Sequence, residues 1–239
     1  MDVPKAEVLL ERDDLLALAK PPGLSMATSG RPGKGEADVV ARLLAAAGLS
    51  CGAEPPRLVH RLDVGTSGVV LLARSQATHR ALTRALQERR AEKSYRALAW
   101  GHPVPARGRL DAPLGRDPRD GRRMAVRPDG KPSATRYETL RRLPSCADLR
   151  LFPETGRTHQ IRVHLAHAGH PIVGDDLYGG ATRHRGVRDP RLRAAFAAVG
   201  RPLLHAERIS VPDLGLDVVA PLQPDHAELL LLLGAPPAG

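Results

Sequence analysis

Aromatic residues are scarce: Phe, Tyr and Trp together make up 3% of the 239 residues. That excludes a broad base-stacking platform of the kind used by single-stranded nucleic-acid binders. Cysteine is scarcer still. Cys51 and Cys146 are too few for a disulfide framework and show no metal-ligand spacing, which points to a reducing compartment. The N-terminal stretch MDVPKAEVLLERDD lacks the basic-then-apolar pattern of a signal peptide. The apolar run LLLLLG near the C-terminus is far too short to span a membrane. There is no dinucleotide-binding fingerprint, no internal repeat and no long linker. The expectation is a soluble, cytoplasmic chain with no membrane partner.

What is abundant is positive charge. Lys and Arg number 36 against 26 Asp and Glu, a formal net charge of +10, and the excess is mostly arginine. The isoelectric point is about 10.5. Such a balance favours an anionic partner, with nucleic acid first among the candidates. The bland alternative is an arginine-rich composition with no binding role. With so few aromatics, an RNA ligand must be held by phosphate contacts and one or two rings. The length suits one sizeable domain, over residues 1–239, with a core large enough to fold unaided.

Along the chain, EVLLERDDLLALAK within residues 6–20 reads as two short strands joined at ERDD. ADVVARLLAAAG (37–48) has helical periodicity and ends at a glycine. Residues 58–74 read as strand, turn and strand, and 76–91 as a helix. KSYRALAWG (93–101) reads as a strand, followed by a Gly/Pro/Arg-rich connection. Residues 133–143 and 146–156 form an expected hairpin about Pro144 and Ser145. RTHQIRVHLAHAG reads as a helix closed by Gly169. Residues 181–195 are polar and basic. LLHAERISVP is expected to be the last strand, PDHAELLLLLG the last helix, and APPAG a frayed tail. Strands and helices mix without βαβ alternation, which predicts an α+β fold with a mostly antiparallel central sheet.

Three segments could carry chemistry. In LVHRLDVGTSGVVLLARS (58–75), a polar knot sits between two apolar runs. Asp63 could simply start a turn by accepting backbone amides. LDVGTSGVV also matches locally the phosphate loop of actin-like and sugar kinases, and more distantly an aspartic-protease D-T-G. The fourth reading is an aspartate nucleophile at a rigid strand end, with Arg61 beside it. In ETGRTHQIRVHLAHAGHPIVGDDLYG (154–179), His164, His167 and His170 step by three. Over a helix each step of three falls about 60° short of a full turn, so the positions drift by about 120° in total, and the last lies beyond Gly169, so no metal site is expected. Arg162 is better read as an inward-pointing partner for a carboxylate. KPPG (20–23) and EKSYRALAWG (92–101) are weak alone. GRPGKGE (30–36) has the wrong spacing for a phosphate loop.

Together, KPPG, HRLDVGTSGVVLLAR, KSYRAL, GRTHQIRVHLAHAGHPIVGDDLYG and LLHA occur in this order over residues 20–206. The series resembles the RluA-type pseudouridine synthases, over a motif-bearing core of about residues 6–212. The resemblance displaces the kinase and protease readings. It implies the pseudouridine synthase fold and isomerisation of uridine in RNA, of the ribosomal large subunit or tRNA or both, with no cofactor and no metal. It places the catalytic aspartate at Asp63, the active-site tyrosine at Tyr95 and the arginine that pairs with the aspartate at Arg162. Arg61 falls where the family's arginine enters the RNA as the target nucleotide leaves. His60, Lys93, Arg157 and His159 are the further RNA-facing candidates, and Ile172 the apolar residue against the flipped base. Many relatives begin with a small RNA-binding domain, and this chain is expected to start directly at the catalytic domain and to act as a monomer. A catalytically silent RNA-binding or assembly factor on the same fold is the alternative from another class.

Overall fold

The computed structural model describes residues 5–28, 35–52 and 54–234. The fragment GRPGKGE lies mostly, and the tail APPAG wholly, outside the described residues. The elements run β1 (Glu7–Arg12), β2 (Leu15–Lys20), α1 (Glu36–Ala46), β3 (Arg57–Leu58), β4 (Ser67–Ala73), α2 (Gln76–Gln87) and β5 (Glu92–Trp100). There follow β6 (Arg107–Asp111), β7 (Leu114–Arg116), β8 (Met124–Val126), β9 (Ala134–Leu143), β10 (Cys146–Pro153) and α3 (Gln160–His167). The chain ends with α4 (Pro190–Ala197), β11 (Leu204–Val211), β12 (Leu216–Val219) and α5 (Pro224–Leu232). This is an α+β fold, and the pairings within each unit are antiparallel.

The chain divides into two compact units, one of residues 1–93 with 206–222 and the other of 94–205 with 223–239. In the first, β2 lies between β1 and β4, and β12 pairs with β11. Every residue of β2 and β4 is buried, which explains their near-continuous apolar sequence. The core joins Leu15, Ala17, Val69 and Leu71 to Leu82 and Ala85 of α2 and to Ile209, Val211 and Leu216. Ser75 caps α2, its hydroxyl accepting from the Thr78 amide at 3.0 Å.

Two elements differ from the expectation. The strand before the HRLD motif is only Arg57–Leu58, and residues 59–66 form an irregular loop with a turn at Val64–Gly65. The polar residues of that motif leave no alternating face to bury, so Asp63 sits in a loop leading into β4 and not at a strand end. The strand LLHAERISVP is not the last, since LDVV pairs with it as β12 after a left-handed turn at Gly215.

Gly68 in the first residues of β4 has φ +114, and a Cβ there would lie 2.7 Å from both the backbone N and C of Ala206. Neither the torsion nor the space admits a side chain. Gly68→Ala is expected to lower stability on the order of 3 kcal/mol or more. A urea-unfolding midpoint equal to that of the wild type would contradict this.

In the second unit, β10 lies between β5 and β9, and β6 pairs with the other edge of β9. The β9–β10 hairpin turns at Pro144 and Ser145 as the sequence predicts, with Ser145 at φ 69. β7 and β8 form a separate two-stranded ribbon. One face of the larger sheet buries Ala97, Ala99, Leu149 and Leu151 against Ile161, Leu165 and Ile172. The polar stretch 181–195 contains a short helical turn, Arg183–Gly186, and the start of α4. Asp189 starts that helix by accepting from the Arg191 and Leu192 amides, and its buried side chain is Phe196 alone.

Candidate active site

Asp63 is presented by a loop pinned at nearly every residue. The His60 Nε2 accepts the Leu71 amide at 3.3 Å. Leu62 is buried, with its amide directed at the sulfur of Met26 at 3.4 Å. The Asp63 carbonyl accepts from the Thr66 amide at 3.0 Å, and the Val64 carbonyl accepts from the Gly23 amide at 2.8 Å. Between these anchors Asp63 is half-buried and Arg61 exposed.

Lys20, from KPPG, completes the support. Its side chain is fully buried, and its Nζ donates to the carbonyls of Pro21 at 2.8 Å, Leu24 at 3.1 Å and Val64 at 3.3 Å. A buried ammonium is tolerated when its protons are so occupied. KPPG therefore has a structural reason: it ties the end of β2 to the residue after Asp63. The sequence offered the motif, but not the partner 44 residues away.

Burial, with the charge of Lys93 adding to it, pushes the His60 pKa down to about 4. Burial also lowers that of Lys93 itself. His60 is thus the neutral acceptor its hydrogen bond requires, which gives it a local holding role beside the RNA-facing one expected from sequence. The folded protein resists protonating His60 until about pH 4, whereas an unfolded histidine protonates near 6.5. This group leaves stability independent of pH above 6.5. Below it, stability falls by up to about 1.4 kcal/mol per unit until pH 4 is reached. Urea midpoints of His60→Gln, whose amide oxygen can accept the same bond, are expected to fall less steeply between pH 6.5 and 4. Parallel curves for the two proteins would contradict this.

The second unit supplies the other candidates. Tyr95 is half-buried on β5 opposite Leu151 of β10, packed against the cluster that contains Ile172. Ile172 itself is 0% exposed. It presents no surface to a base and stands as core beneath the face that carries Tyr95. On the opposite face of β5, Arg96 and Asp148 form a fully buried pair with two contacts of 2.6 Å.

The segment GRTHQIRVH is built inward. Gln160 accepts from the Arg157 amide and the Thr155 hydroxyl, and donates to the Ala134 carbonyl and Thr135. That fixes the start of α3, which His159 enters in a left-handed conformation, φ 54. Arg162 is 6% exposed. Its Nε and Nη2 grip Asp175 at 2.7 and 2.9 Å, and Asp175 is completely buried. The guanidinium also lies 5.0 Å from the ring centroid of Tyr178, whose hydroxyl is 2.8 Å from His159 Nδ1. Sequence reasoning paired Arg162 with Asp63 and did not single out Asp175, which holds its guanidinium, or Tyr178. Both stand in the GDDLYG end of the same motif. Arg157 is exposed. His164 lies between Thr135 and the Ala112 carbonyl, and His170 against the Trp100 carbonyl. Among the described residues no group of three or more His, Cys, Asp or Glu is placed to hold a metal ion.

The family model described as RNA pseudouridylate synthase matches residues 14–167, which include the loop of Asp63, Tyr95 and the entire α3 segment. The chain belongs to this family. A ribosomal large subunit pseudouridine synthase D of Haemophilus ducreyi is 37% identical over 229 residues, covering 93% of this chain and 69% of that protein. An uncharacterized RNA pseudouridine synthase of Chloroflexus aurantiacus is 45% identical over 185 residues, covering 77% of this chain and 58% of that one. Among solved structures, Human RNA Pseudouridylate Synthase Domain Containing 4 superposes with a TM-score of 0.73 at 26% identity, covering 95% of this chain and 93% of that one. Human RNA Pseudouridylate Synthase Domain Containing 1 gives 0.72 at 26%, covering 100% and 99%. As a pseudouridine synthase family member, the chain has no helix among its described residues long and apolar enough to cross a membrane.

Proposed function

We propose that this synthase isomerises uridines in structured RNA of the ribosomal large subunit, with tRNA as a second substrate class, and that both units together form its catalytic domain. The observation that carries the reading is the loop of Asp63, a half-buried carboxylate whose own carbonyl is held by Thr66 and whose neighbours Leu62 and Val64 are held by Met26, Lys20 and Gly23. A turn-forming aspartate needs no such scaffold, whereas a group that must meet a reacting carbon in one geometry does.

In the reaction the bond from ribose C1′ to uracil N1 breaks, the ring turns, and C1′ bonds to C5. The C5 proton is lost to water while N1 takes one up, so nothing is added. A uracil in folded RNA must first leave its stack, at a cost of a few kcal/mol. Arg61, exposed two residues before Asp63, offsets part of that cost by filling the gap and holding phosphate. Asp63 is the nucleophile. Arg162 is assigned to its carboxylate, its guanidinium plane fixed by Asp175 and Tyr178. Tyr95 offers a ring face to the uracil and a hydroxyl for proton transfer, and Ile172 backs that ring from the core. Lys93, Arg157 and His159 face the RNA. The protein acts as a cytoplasmic monomer without a cofactor.

Loss of the C5 proton gives a direct assay. Incubation with a large-subunit rRNA transcript carrying tritium at uridine C5 should release tritium to water in proportion to pseudouridine formed. Stoichiometric binding of that RNA with no release, on tRNA or rRNA, would favour a silent binding factor instead.

A further inference from the structure

The net positive charge is not spread evenly. At least six of the ten arginines from β6 to β9 are paired with carboxylates: Arg107 with Glu138, Arg109 with Asp111 and Glu154, Arg122 with Asp120, Arg123 with Asp117, Arg127 with Asp129, and Arg136 with Glu154. Residues 181–193 differ. They carry five arginines and one aspartate, and all five arginines are exposed. The aspartate, Asp189, has its Oδ1 committed to the amides that start α4. Arg183 and Arg193 each spend one nitrogen on a backbone carbonyl, of Gly169 and Val187. Among the described residues, Arg185, Arg188 and Arg191 have no carboxylate within ion-pair distance.

The segment is also firmly mounted. Phe196 of α4 packs on Trp100 with ring centroids 4.6 Å apart and planes tilted by 45°, and the Trp100 Nε1 donates to the Gly180 carbonyl at 2.7 Å. The Arg183 contact with Gly169 ties the other end to the loop after α3. A backbone held this way does not itself have to be ordered when its arginines meet a ligand. The strip lacks what other anionic partners need. Phe196 and Val187 are buried, so no apolar face is left for a membrane surface. It exposes no aromatic ring for reading bases.

We propose that Arg185, Arg188 and Arg191 form a sequence-independent docking strip for the RNA phosphate backbone, outside the motifs that carry the chemistry. The inference rests on the RNA substrate proposed above and adds where RNA away from the target uridine is gripped. Each neutralised phosphate releases condensed counterions, so the strip should show in the salt dependence of binding.

The test is a filter-binding titration of the full chain on an rRNA fragment, from 50 to 200 mM salt, with tritium release measured on the same preparations. Arg185→Gln/Arg188→Gln/Arg191→Gln should reduce the slope of log affinity against log salt by about 2 to 3. It should leave single-turnover release at saturating RNA within about twofold of wild type, since these residues are absent from the catalytic set. The triple lysine variant should restore the slope. Arg107→Gln, which removes an internally paired arginine, should not change it. A wild-type slope in the triple glutamine variant overturns the strip while leaving the enzymatic reading standing. A reduced slope alongside no tritium release in wild type supports the strip and refutes the enzymatic reading. Loss of slope with glutamine that lysine fails to restore also overturns the proposal, because it points to packing.

Discussion

Asp63→Asn should abolish the chemical step. The amide is nearly isosteric, and the loop is held through the backbone of residues 62 to 66 and the side chains of His60 and Lys20, which the substitution leaves in place. Folding and RNA affinity should therefore change little. An uncharged amide is a very poor nucleophile, so single-turnover tritium release should fall by about a thousandfold or more. If Asp63 only formed the turn, its amide oxygen could still accept from nearby amides and release would persist. Turnover within tenfold of wild type at equal folded concentration would refute the assignment of the nucleophile.

The largest expected effect on stability lies behind Tyr95. Arg96 and Asp148 are 1% and 0% exposed, and each contact between them is 2.6 Å. Their mutual attraction offsets the cost of taking two charges out of water, and removing one partner leaves that cost standing. Asp148→Ala should lose about 3–5 kcal/mol, a fall in thermal midpoint of roughly 6–20 °C for a chain of this size. Arg96→Met combined with Asp148→Leu removes both charges and should recover most of the loss. A single variant as stable as wild type would show that the pair is not desolvated as the geometry requires. Recovery in the double variant separates an orphaned charge from lost packing.

The elements legible in the sequence are those with a clear apolar period. EVLLERDDLLALAK is the β1–β2 hairpin with its turn at the charged residues, and the glycine after ADVVARLLAAA stops α1 at a left-handed position, Gly48. α4 was not legible because its one buried side chain, Phe196, stands among arginines and alanines. β12 was hidden because four residues after a left-handed glycine carry too short a pattern. The HRLD motif looked like a strand end because apolar runs flank it. The structure shows a two-residue strand and a pinned loop, since His60, Arg61 and Asp63 interrupt any apolar face.

The site divides in the same way. Asp63, Tyr95 and Arg162 are legible because each is embedded in a specific motif, and their roles are the proposal's to test. What holds them is not local. The grip of Lys20 on Val64 spans 44 residues, that of Arg96 on Asp148 spans 52, and the tilted contact of Phe196 with Trp100 joins α4 to β5. No periodicity encodes such contacts, because they exist only once the sheets have formed. The Asp175 partner of Arg162 is closer, 13 residues on. Its signal was a carboxylate in GDDLYG directly after the glycine of a tight turn, Gly174, where a Cβ would meet Val199 Cγ1.

The most direct test of the central claim is a pseudouridine map of total RNA from cells lacking the gene, complemented with either wild type or Asp63→Asn at matched protein levels. The account predicts that one or a few pseudouridines vanish from large-subunit rRNA or tRNA without the gene, return with wild type and stay absent with the variant. An unchanged map in the deletion strain, or full restoration by Asp63→Asn, would contradict it.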